Sequence, residues 1–187
     1  MKYLIAGLGN IGAEYSNTRH NIGFITLDAF AKASGVVFED KRYGFVSETK
    51  YKARTLILLK PSTYMNRSGM AIQYYLNKEK LDVDKLLVVV DDIALPFGTI
   101  RIKPKGGAGG HNGLQSIIDI LGTEEFARMR FGVGDSFRKG GQVDYVLGEW
   151  SADEKSVLVQ YTDKMTDAVK SFCTIGLERT MNFFNTK

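Results

Sequence analysis

The sequence predicts an α/β fold: a single domain with a mixed, largely parallel twisted sheet flanked by helices. Three observations carry this. Apolar runs at residues 3–6, 55–59 and 86–90 are short and unbroken, as strands buried on both faces are. Between them, residues 22–34 and 68–76 show apolar positions at helical spacing. The alternation of the two is the mark of a layered α/β unit. Finally, 187 residues with 44% hydrophobic content suffice for one sizeable core.

Taken in order, the strand at 3–6 runs into Gly7, Gly9 and Gly12, which have the spacing of a dinucleotide-binding turn. That reading fails on context. A nicotinamide site needs a helix to open at the glycines, yet residues 14–20 are polar and lack a helical stripe. The acid about 20 residues on, Asp28, falls within the helix at 22–34 rather than at a strand end. The glycines therefore read as a tight turn. Residues 43–49 can pair antiparallel with the next run. Residues 99–103 and 128–133 alternate polar and apolar, so Arg101 and Lys103 share a face, as do Arg128 and Arg130. Two basic strand faces are expected. The glycine-dense stretches 106–113 and 132–141 read as loops within the domain. Ser151 and Glu154 form a capping-box pattern, and helical spacing continues to the C-terminus with an interruption at Gly176. Residues 1–187 are thus expected to form one domain.

A formal net charge of +4 favours polyanionic partners without requiring them. The single cysteine, Cys173, has no intrachain disulfide partner and fits a reducing compartment. The amino terminus is too short in apolar residues for a signal peptide, and the longest apolar runs, 56–59 and 86–90, are far below the roughly 20 residues of a spanning helix. A soluble cytoplasmic protein with no membrane contact is expected.

Two histidines and one cysteine leave no zinc constellation, and no Gly-x-Ser-x-Gly elbow is present. Water is left as nucleophile, with neither metal nor cofactor. His20 lies in a polar loop beyond the first strand, and Asp91 directly follows the strand at 86–90, so both can meet beyond the sheet's carboxyl edge. An imidazole can take a proton from water near neutrality, and a carboxylate on its other nitrogen fixes the tautomer. Asn10, Asn21, Asn66 and Asn112 supply neutral amides able to hold a carbonyl or an oxyanion. Asn66 and Asn112 also stand where they could cap helices near Ser68 and Gly113. His111, in a glycine turn before a helix, reads as a structural hydrogen-bonding residue. Asp91-Asp92 lacks the further oxygen ligands that Mg²⁺ would need.

Taken together, Gly7-Leu8-Gly9-Asn10, Tyr15, Thr18-Arg19-His20-Asn21-Ile22-Gly23, Lys60-Pro61-Ser62-Thr63-Tyr64-Met65-Asn66 and Gly109-Gly110-His111-Asn112-Gly113 resemble the bacterial-type peptidyl-tRNA hydrolases in order and separation. The resemblance covers nearly the whole chain. It implies a monomer, without an obligate protein partner, that cleaves the ester between a peptide and the tRNA ribose without a metal. His20 would activate water, Asp91 would orient it, and Asn10 would help distinguish N-blocked from free aminoacyl groups. Tyr15, Asn21, Tyr64, Met65 and Asn66 would line the groove for the peptide and the tRNA 3′ end, and Asn112 would position the water or the carbonyl.

For the acceptor stem, the resemblance points to Lys103, Lys105 and Arg130 as a phosphate clamp. Arg128 reads as solvated surface charge, and Arg101 equally as charge or helper. The chain departs from the family's pattern at Ala94, at Phe97 and in the loop at 135–142, which puts closure over the substrate in question. The rival reading is a splicing-factor-like RNA binder that keeps the fold without hydrolysis. The presence of Asn10, His20, Asp91 and Asn112 favours the enzyme.

Overall fold

The computed structural model describes residues 1–185. Its strands are β1 (Lys2–Gly7), β2 (Glu39–Lys41), β3 (Gly44–Tyr51), β4 (Arg54–Pro61), β5 (Leu86–Asp92), β6 (Ile100–Lys103) and β7 (Ala127–Gly132). They form one sheet in the order β2-β3-β4-β1-β5-β7-β6. β4, β1, β5 and β7 are mutually parallel, while β3 and β6 join antiparallel at the flanks and β2 pairs antiparallel with β3. The expected mixed, largely parallel sheet is what forms.

The helices are α1 (Ile22–Ala33), α2 (Ser68–Lys78), α3 (Asn112–Leu121), α4 (Gln142–Val146), α5 (Ala152–Ile175) and α6 (Leu177–Phe184). Successive strand residues point to opposite faces, so each central strand feeds two cores. Ile5, Leu56, Leu58, Leu87 and Val89 pack with Leu27 and Phe30 of α1 and Met165 and Val169 of α5. Leu4, Ala6, Ile57, Leu59, Val88 and Val90 pack with Ile72 of α2 and Ile117 of α3. This double burial is why the strands read as unbroken apolar runs. Ser151 and Glu154 close their capping box at the start of α5, and Gly176, at φ 91°, separates α5 from α6. Among the described residues no helix is long and apolar enough to cross a membrane.

Two glycines set where α1 sits. A Cβ on Gly7 would lie 2.2 Å from the Gly23 carbonyl oxygen, and one on Gly23 would lie 2.3 Å from the Leu8 nitrogen. Backbone therefore meets backbone at the amino end of α1 and the carboxyl end of β1. The 3₁₀ turn Arg19–Asn21, immediately before α1, is delivered to the sheet's carboxyl edge. Gly7 serves helix packing, and the helix does not open at the glycine turn.

The basic strands also differ from expectation. Arg101 pairs with Arg130 and Lys103 with Arg128 across β6 and β7, giving one continuous basic face. Arg128 is not solvated surface charge, as the sequence suggested, but is 1% exposed. Its guanidinium donates to the carbonyls of Gly106, Gly107, Glu124 and Phe126 and stacks on the Phe126 ring. The glycine loop after β6 folds over it and uses it as an internal brace.

Candidate active site

The carboxyl ends of β1 and β5 and the amino ends of α1 and α3 converge on a cavity of about 410 Å³. Asn10, His20, Met65, Asn66, Asp91, His111, Asn112 and Arg130 line it. Its far wall is the glycine loop 107–110 together with Gln142, Val143 and Val146 of α4.

Asp91, 4% exposed, is the hub. The Nδ1 of His20 lies 2.9 Å from both of its carboxylate oxygens, and the Nε2 of His111 lies 2.9 Å from Oδ1. Burial alone would raise its pKa, but the charges and N–H groups of His20 and His111 outweigh that and hold it well below the usual carboxylate range. An ionised carboxylate only accepts, so both facing ring nitrogens carry their protons. For His20 this leaves the lone pair on Nε2. His20 itself is held by its neighbour Arg19, which donates to Glu154 and to the Tyr145 carbonyl and stacks 4.2 Å over the Tyr145 ring.

His111 is the residue that sequence reasoning left out of the site. Its Nδ1 accepts from the backbone N–H groups of Gly113 and Leu114 at 3.1 and 3.3 Å, capping α3. The structural role is real, and the same ring also grips Asp91. The only signal in the sequence was its place just before a helix that starts at the active edge. The ligand atoms of His20, Asp91 and His111 lie within 4.8 Å of one another, close enough for a metal ion. The bonds made by His111 argue against one: with Nδ1 filled by backbone donors, Nε2 offers a proton rather than a lone pair.

The asparagines divide by task. The side chain of Asn21, 1% exposed, accepts from the Asn10 N–H and donates to the Asn10 carbonyl at 2.8 and 2.9 Å. Its amide fixes Asn10, and Asn21 lines the neighbouring cavity on the other side of Asn10 rather than this one. The Asn10 Oδ1 accepts the Met65 N–H at 2.8 Å, which leaves its Nδ2 protons without a protein acceptor among the described residues. Neither capping alternative holds. His111 caps α3, and α2 has Arg67 at its cap position with no side-chain bond, so Asn66 and Asn112 are exposed at the cavity.

Tyr64 stands beside Met65, 53% exposed at φ 60°. It does not line the cavity, and neither does Tyr15 in its 3₁₀ turn. Lys103 and Lys105 are exposed on the basic edge, while Arg130 donates to Asp92 at 2.7 Å. That ion pair also rules out Asp92 as a carboxylate free to share a cation with Asp91. Ala94 lies on the cavity wall, with its N–H donating to Asp92, and Phe97 packs edge-on against Phe131 and Tyr161.

The family model for peptidyl-tRNA hydrolase matches residues 4–187. The chain belongs to the peptidyl-tRNA hydrolase family. The peptidyl-tRNA hydrolase of Phocaeicola vulgatus is 54% identical over 187 residues, covering 100% of both chains. That of Bacteroides fragilis is 52% identical over the same span. The crystal structure of peptidyl-tRNA hydrolase from Acinetobacter baumannii superposes with a TM-score of 0.92 at 32% identity, covering 98% of this chain and 94% of that one. The peptidyl-tRNA hydrolase resemblance read from the motifs and the expected fold class both hold.

Proposed function

We propose that this chain hydrolyses the ester between a peptidyl or N-blocked aminoacyl group and the tRNA ribose, with His20 as general base. The observation that carries the reading is the Asp91 carboxylate held between two imidazoles, which turns the lone pair of His20 Nε2 outward. A water beside that nitrogen gives up its proton as its oxygen attacks the ester carbonyl. The ester bond then breaks, the ribose oxygen leaves with a proton, and the products are a free peptide carboxylate and a tRNA with its hydroxyl restored. Asp91 stabilises the imidazolium without taking the proton, in the manner of the triad carboxylates. Asn112, at the amino end of α3, is suited to hold the oxyanion or the water.

Asn10 accounts for the choice between blocked and free esters. Because its Oδ1 is filled by Met65, it presents donors to the cavity. Donors match the carbonyl of an acylated amine and oppose a free ammonium, which has only donors of its own. Asn66 on the cavity wall, with the exposed Tyr64 two residues before it outside the cavity, is suited to the terminal nucleotide. Lys103 and Lys105, with Arg130 steadied by Asp92, are the phosphate contacts, in keeping with a hydrolase that reads backbone rather than base sequence. The substrate suggests action in the cytoplasm as a monomer built from one domain over residues 1–187. The rival role, RNA binding without hydrolysis, would need no oriented base.

The deciding experiment compares release of N-acetyl-aminoacyl and free aminoacyl groups from the same tRNA. Rapid release of the blocked group alone is expected. Equal release, or none, would overturn the reading.

A further inference from the structure

A second cavity, of about 260 Å³, opens on the other side of Asn10, which lines both. Its walls include Ser16, Phe24, Asp28, Phe45 and Lys60. Two of its walls are aromatic, Phe24 and Phe45, and the Lys60 ammonium lies 5.6 and 5.7 Å from their ring centres and 4.3 Å from that of Phe38, which lies outside the lining. Lys60 also pairs with Asp28, so the rim carries no net charge. A neutral aromatic cleft of this kind suits an apolar side chain on an uncharged main chain.

Sheet order gives the cleft its direction. Asp91 lies on β5, and Lys103, Lys105 and Arg130, the proposed phosphate contacts, lie on or just beyond β6 and β7, to one side of it. Lys60 and Phe45 are register partners on β4 and β3, at the same carboxyl edge but on the opposite side. With the nucleic acid on the β6 flank, the acyl chain leaving the ester has the β4 flank open to it. Two strand spacings separate β5 from β4, about 10 Å, which an extended peptide crosses in about three residues.

We infer that this cleft binds the apolar side chain of the third residue of the peptidyl group, counted from the ester. The inference rests on the hydrolase reading above and adds a preference within the peptide that the catalytic residues do not supply. Burying one aromatic side chain in part of such a cleft is worth about a tenfold gain in kcat/KM.

The test uses three substrates on one tRNA: an N-acetyl-aminoacyl group, too short to reach the cleft, and two acetylated tetrapeptides with Phe or Gly third from the ester. The wild-type protein is expected to release all three, with Phe favoured over Gly by about tenfold. Ser16→Trp, a change at an exposed position that fills the cleft, should reduce the Phe advantage to below about twofold and leave the N-acetyl-aminoacyl rate unchanged. Phe45→Ala, which removes one aromatic wall, should reduce it too. Equal rates for Phe and Gly in the wild type, or an advantage that survives both variants, would overturn the subsite while leaving the hydrolase reading intact. Failure to release any of the three would overturn both.

Discussion

Replacing Arg128 with methionine tests whether a buried cation braces the glycine loop that walls the active cavity. The side chain donates to four carbonyls, at Gly106, Gly107, Glu124 and Phe126, and meets no carboxylate there. Burial, together with Arg130 nearby, pushes its pKa down, so the folded protein holds this charge at a cost. Methionine fills similar space and removes that cost, but it strands the acceptors. Gly107 and Glu124 belong to exposed residues and regain water, whereas Phe126 is buried and Gly106 half-buried. Two stranded carbonyls, less the relieved desolvation, cost about 2–3 kcal/mol. In a domain of this size that lowers Tm by about 4–12 °C. Thermal unfolding followed by circular dichroism measures it. Because residues 107–110 lose their support, KM for N-acetyl-aminoacyl-tRNA should rise severalfold, while kcat, which depends on His20 and Asp91, changes little. A Tm within about 2 °C of wild type, with KM unchanged, would show the guanidinium to be a bystander.

Other expectations follow from the same geometry. His20→Ala should cut kcat by about 10² to 10⁴ and leave tRNA affinity nearly unchanged, which single-turnover release and filter binding separate. Asp91 holds its charge below the usual carboxylate range, so as pH falls the unfolded chain takes up that proton first. Its stabilisation is complete above about pH 5 and fades from about pH 4 downward, and Asp91→Asn should flatten the fall in urea midpoint between those conditions and pH 3. Changing Lys103 and Lys105 together to alanine should reduce the slope of log affinity against log salt by about 1.5, and an unchanged slope would remove both from the phosphate contacts. The Cys173 thiol, 1% exposed with its pKa pushed up by burial to about 12, should resist thiol reagents in the native protein and react fully in urea.

What the sequence disclosed follows a physical line. Strands buried on both faces must be apolar throughout, so β1, β4 and β5 stood out, and their carboxyl ends led to His20 and Asp91. β2, three exposed polar residues, carries no such signature, and α4 has no buried residue to give it a stripe. Alternation placed Arg128 and Arg130 on one face but could not say that a loop roofs half of it. The two roles of His111 were hidden because one ring nitrogen caps a helix while the other meets a carboxylate 20 residues away in sequence. Only the folded arrangement shows that Asn21 spends its amide on Asn10 and leaves the donors of Asn10 facing the cavity.

The contact between Gly7 and Gly23 has a consequence for how the protein can vary. Since main chain touches main chain there, the amino end of α1 is set against β1 like a fixed stop, and the reach from His20 to Asp91 starts from that stop. The leucines, valines and phenylalanines of the two cores can be exchanged for others of similar volume, and the molecule will grow sturdier or weaker without retuning its base. A methyl group at either glycine meets main chain at once, pushing the amino end of α1 off β1 and with it the turn that aims His20 at Asp91.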